Sequence, residues 1–112
     1  MPHPEYLPAF KPGDVVDIAF ADFTGRLSFL DGNRAALKVS GGDADGFADT
    51  FEYELSGIGE RVFLLSWRES IGSVVVHAID RAERRTQAFI ASADGRFLRL
   101  PGEVRMVSAL VA

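Results

Sequence analysis

The chain has 112 residues and a net charge of −4, with 47% apolar residues, 25% charged residues and no cysteine. One domain of this length buries a core without disulfides or metal. The missing cysteines exclude disulfides, thiolate nucleophiles and Cys-ligated zinc.

The arginines are scattered, and the cluster Arg81, Arg84 and Arg85 is interrupted by Glu83. An acidic chain without a basic stripe is not expected to track phosphates, so nucleic acid is not an expected partner. The opening stretch, MPHPEYLPAFKPGD, has no apolar signal core and no basic start. No apolar run approaches the roughly 20 residues that a spanning helix needs. The expectation is a cytoplasmic protein with no membrane partner.

Residues 1–13 carry Pro2, Pro4, Pro8 and Pro12. Proline this dense opposes both helix and sheet ladder, so this segment reads as an arm. Tyr6, Leu7 and Phe10 are its apolar anchors, suited to covering an open end of the body formed by residues 14–112.

From Asp14 onward, short apolar runs alternate with turn signals. DVVDIAF is followed by ADFTG. RLSFL and RAALKV are joined by DGN, a hairpin signal because Gly and Asn tolerate positive φ. The polar loop SGGDADGFAD follows. TFEYEL then alternates, with Phe51, Tyr53 and Leu55 on one face and Thr50, Glu52 and Glu54 on the other. SGIGE leads to RVFLLSW, RESIG to SVVVHAI, DRAERR to TQAFIAS, and ADG to RFLRL. Pro101-Gly102 reads as a turn into EVRMVSALVA.

This spacing predicts about eight or nine strands and no helix. Sequential hairpins form a meander, and a meander of this length closes most economically into a barrel. The predicted fold class is all-β, a single small up-and-down antiparallel barrel of about eight strands. Its interior has room for side chains or one small ligand.

The strand phase sets the candidate site residues. Phe63, Leu65, Trp67 and Glu69 share one side of their strand. If that side is the interior, Glu69 ends a row of large apolar groups, and desolvation would raise its pKa. It is then a candidate general acid or base; otherwise it is a turn residue at the rim. His77, on the side of Val75 and Ile79, is a candidate base or ligand-orienting donor. Tyr53 is expected inside, its hydroxyl paired with a ligand, Glu69 or Gln87. Phe51, Tyr53, Leu65, Trp67, His77 and Gln87 are therefore expected to line or edge a pocket, with Glu69 as its polar handle.

Asp43, Asp45 and Asp49 crowd one loop, but Gly46 falls at the fourth rather than the sixth position of an EF-hand register. The expectation is a solvated Gly/Asp loop, one able to act as a flap over a barrel mouth. The second histidine, His3, lies in the arm, so no metal site is expected. No cofactor is expected.

The stretch VFLLSWRESIGSVVVHAIDRAERRTQAFIAS carries Ser66, Trp67, Glu69 and Gly72. It resembles the hairpin shared by bacterial phenolic acid decarboxylases and MoaF-like domains. The preceding GRLSFLDGNRAALKV and TFEYEL segments resemble the MoaF-like order, and the likeness covers about residues 14–93. The resemblance implies a calycin-type, lipocalin-like barrel. It also puts Glu69 at the position of the decarboxylases' catalytic glutamate. Those enzymes hold the substrate with two tyrosines on the first strands and an arginine ahead of the Trp strand. Here Phe20 and Phe23 stand in that region, and no arginine lies between Lys38 and Arg61. Phenylalanine donates no hydrogen bond to a carboxylate.

The resemblance therefore favours a MoaF-like barrel, and the residues expected inside it favour binding of a small, mostly apolar ligand. A lyase or decarboxylase-like enzyme acting on a small aromatic or unsaturated acid through Glu69 is the alternative. A filled barrel serving as an interaction module is the third reading. Exposed apolar segments such as SALVA make a homodimer a further expectation.

Overall fold

The computed structural model describes residues 6–107. The prolines at 2 and 4, His3 and the SALVA segment lie outside that range. Eight strands occupy the rest: β1 Val15–Ala19, β2 Thr24–Leu30, β3 Arg34–Ser40, β4 Ala48–Ile58, β5 Val62–Arg68, β6 Val74–Asp80, β7 Arg85–Ala91 and β8 Phe97–Met106. Each pairs antiparallel with its sequence neighbours, and β8 returns to β1, closing the barrel. Among the described residues there is no helix.

Local chemistry explains the short connections. Leu30 pairs with Arg34, leaving Asp31, Gly32 and Asn33 as the turn. Gly32 and Asn33 take φ of 71° and 59°, where glycine and asparagine cost least. In the β6–β7 connection, one Asp80 oxygen accepts the N–H groups of Ala82 and Glu83 at 3.0 and 3.1 Å. That Asx turn replaces ladder bonds the chain gives up there.

Pro101-Gly102 departs from the expected turn, because both residues lie inside β8. Residues 97–103 of β8 pair with β7, while its pairing with β1 begins at Glu103. Pro101 thus sits where β8 has one ladder neighbour, so its missing N–H is tolerated. Gly102 permits a close approach: a Cβ there would lie 3.0 Å from Ala19 O and from two ring atoms of Phe20.

Alternation directs the core. On β5, Phe63, Leu65 and Trp67 are buried. Val16, Ile18, Leu27, Phe29 and Ile79 meet them from other strands. Residues 6–13 close one end. Leu7 is fully buried; its N–H donates to Arg81 O at 2.9 Å, and its carbonyl accepts Arg81 Nε–H at 2.8 Å. Phe10 stacks on Phe29 at 4.9 Å and meets Phe63 edge-on at 5.3 Å. The β2–β3, β4–β5 and β6–β7 turns belong to this closed end. The other four connections surround the opposite mouth.

Among the described residues, no helix is long and apolar enough to cross a membrane.

Candidate functional site

A cavity of about 560 Å³ enters the barrel from the mouth. Ile18, Leu27, Leu37, Trp67 and Val75 form its wall. Phe20, Phe23, Phe47 and Ile71 surround the opening, with Asp22, Asp43, Glu69 and Arg96 as its charged groups. His77 supplies a polar group from the strand wall. The barrel is thus packed at the arm end and open at the other.

The SGGDADGFAD loop forms part of the mouth, contributing Gly42, Asp43, Ala44 and Phe47. Two of its carboxylates accept backbone N–H groups, one of these from the β5–β6 turn. Asp45 accepts Gly41 N–H at 2.7 Å. Asp49 accepts Thr50 N–H and Ser70 N–H at 2.9 and 2.8 Å. Among the described residues, no group of three or more His, Asp or Glu side chains is placed to hold a metal ion.

Glu69 follows the end of β5. Its N–H donates to Ser73 O at 2.8 Å and its carbonyl accepts Gly72 N–H at 2.9 Å, which fixes the β5–β6 turn. The side chain turns to the cavity, where Oε2 accepts the Trp67 indole N–H at 3.1 Å. Burial raises its pKa above the usual carboxylate value; the indole bond opposes this, and the Asp49 charge adds to it. Glu69 is both a turn residue and a cavity residue.

His77 is 3% exposed. Its Nδ1 lies 2.9 Å from the Thr86 hydroxyl. Burial pushes its pKa down to about 4, so the ring is neutral at neutral pH. Among the described residues, no fully buried side-chain nitrogen lacks a hydrogen-bond partner. The second ring nitrogen, which has no such partner, therefore keeps accessible surface, and for this inward ring that surface faces the cavity. It can donate or accept, depending on the tautomer set by Thr86.

Three expected pocket residues, Trp67, Glu69 and His77, come together at the cavity. Phe51 stands behind them: its ring stacks on Trp67 at 4.7 Å, 5° from parallel. Leu65 is fully buried in the core. Tyr53 is buried but meets Phe29 edge-on at 5.1 Å, toward the arm end. Its hydroxyl does not bond to Glu69 or Gln87. Gln87 requires correction. It is exposed on the outer face, because β7 turns Thr86 and Ala88 inward and the alternation puts Gln87 outside.

Thr86 was legible as a polar residue at an inward position of β7, diagonal to His77 across the ladder. Asp22, Phe23, Phe47 and Arg96 belong to connections between strands, where no period reveals direction.

The family described as MoaF-like matches residues 12–105. The chain belongs to the MoaF-like family. This MoaF-like chain is also similar to a solved structure, described as that of a candidate beta-lactamase from Burkholderia vietnamiensis. The two are 24% identical with a TM-score of 0.82, over 90% of this chain and 98% of that one. At that identity the likeness speaks for the MoaF-like barrel fold alone. No curated protein matches the chain.

Proposed function

We propose that this MoaF-like barrel binds a small, mostly apolar molecule in its mouth cavity. The observation that carries the reading is an unfilled space of about 560 Å³ in an otherwise packed barrel, walled by apolar side chains and met by Glu69 and His77. That volume is typical of small-molecule sites, which combine apolar walls with a few fixed polar groups. Trp67 joins the two polar groups: it bonds to Glu69 and lies 5.3 Å from the His77 ring. The ligand's apolar body rests against Ile18, Leu27 and Val75, and its polar end meets Glu69. An unfilled mouth speaks against a purely structural barrel.

Ligand at a hundredfold excess over Kd stabilises the folded form by about 2.7 kcal/mol and so raises its melting temperature. Differential scanning fluorimetry against small aromatic and alicyclic compounds tests this. Concentration-dependent stabilisation supports the reading. Its absence across neutral, cationic and anionic compounds at millimolar concentration removes it.

A second reading follows from the raised pKa of Glu69: a proton-transferring lyase. Glu69→Gln would abolish such turnover, and equal turnover in the variant would eliminate that reading.

A further inference from the structure

The charged groups of the cavity are unbalanced. Glu69, Asp22 and Asp43 line it, and Asp49 stands close enough to Glu69 to act on its ionisation. Against these four carboxylates, the cavity wall offers one basic side chain among the described residues, Arg96. Arg96 is partly engaged by a further carboxylate at the surface: its Nε lies 3.1 and 3.3 Å from the two oxygens of Asp94. His77 brings no charge at neutral pH, and the indole N–H of Trp67 is taken by Glu69.

A ligand carboxylate entering this space would lose water and meet more carboxylates than cations, the one arginine at the rim already standing beside Asp94. A protonated amine meets the reverse conditions. Glu69 accepts its hydrogen bonds in a partly desolvated setting, where a charged pair is stronger than in water. The rings of Phe20, Phe23 and Phe47 surround the same opening, and aromatic faces favour cations. The net charge of −4 draws cations toward the chain.

Building on the cavity-binding reading above, we propose that the ligand is a protonated amine on an apolar, ring-sized body, its ammonium group paired with Glu69. The body lies against Trp67 and reaches toward His77, whose second ring nitrogen offers one more hydrogen bond. This inverts the polarity expected for a phenolic acid site.

The test is isothermal titration of the full chain with three molecules that share one body: 2-naphthylmethylamine, 2-naphthylmethanol and 2-naphthoate. The expected order is amine, then alcohol, then carboxylate, with the amine favoured over the alcohol by about tenfold. In Glu69→Gln, checked for a cooperative melting transition, the amine loses that advantage. Naphthoate binding as tightly as the amine overturns the inference and leaves cavity binding intact. An amine preference that survives in folded Glu69→Gln also overturns it. Binding by none of the three at millimolar concentration removes the cavity-binding reading and this inference together.

Discussion

Trp67 donates its indole N–H to the Glu69 carboxylate at 3.1 Å, across a separation of two residues. Positions two apart share a strand face, so the bond forms along the inner wall rather than across the ladder. Phe51 fixes the indole from behind by near-parallel stacking. Trp67→Phe removes the donor and keeps an aromatic ring. The Glu69 pKa is then expected to rise further above its ordinary value, since the indole bond is what lowers it. Carboxyl-carbon NMR titration reads this directly; an unchanged or lowered pKa contradicts it.

Glu69 also bears on stability. A carboxyl whose folded pKa is raised stabilises the fold below its unfolded pKa, and that contribution is lost as pH rises through the folded value. Glu69→Gln is therefore expected to raise the melting temperature at neutral pH and to change it little at pH 4 or below. Gln retains an acceptor for the Trp67 N–H. Equal melting temperatures at neutral pH would argue against a desolvated carboxyl.

His77 produces the opposite acid response. Its folded pKa, about 4, lies below the usual histidine value of about 6.5. Above pH 6.5 both states hold a neutral ring. Below it the unfolded chain takes up a proton that the folded chain refuses until about pH 4. Stability is thus lost as pH falls through that window, by about 3 kcal/mol for a fully buried ring. Urea unfolding between pH 7 and 4 should show a shallower decline in His77→Gln than in the parent. Parallel declines would contradict the assignment.

Gly102 ties β8 to the mouth. An added Cβ would press on Ala19 O and the Phe20 ring at 3.0 Å, and the backbone oxygen cannot yield cheaply. Gly102→Ala is expected to cost about 1–3 kcal/mol and to push Phe20 from its place at the cavity. Chemical denaturation measures the cost; a variant as stable as the parent rules out the tight contact.

The barrel was legible because its strands alternate. The phase of Phe63, Leu65 and Trp67 put Glu69 at the end of an inner row, and that is its position. Two of the apolar anchors read between the prolines, Leu7 and Phe10, cover one end. Tyr53 was misjudged in depth rather than in face. Alternation fixes which side a residue takes, but not which half of the barrel it occupies. Gln87 failed because its polar character suggested a pocket role that the β7 alternation denies. The mouth residues Asp22, Phe47 and Arg96 lie on connections, whose directions depend on the closed barrel.

The single tryptophan makes one measurement especially direct. Its indole N–H gives one side-chain peak in a proton–nitrogen correlation spectrum. On titration with 2-naphthylmethylamine, that peak and the amides of Phe20, Val75 and His77 should shift saturably together. Those of Leu7 and Phe29 at the closed end should stay in place. A motionless indole peak at saturating ligand, or shifts confined to the outer face around Gln87, would contradict ligand binding in the barrel mouth.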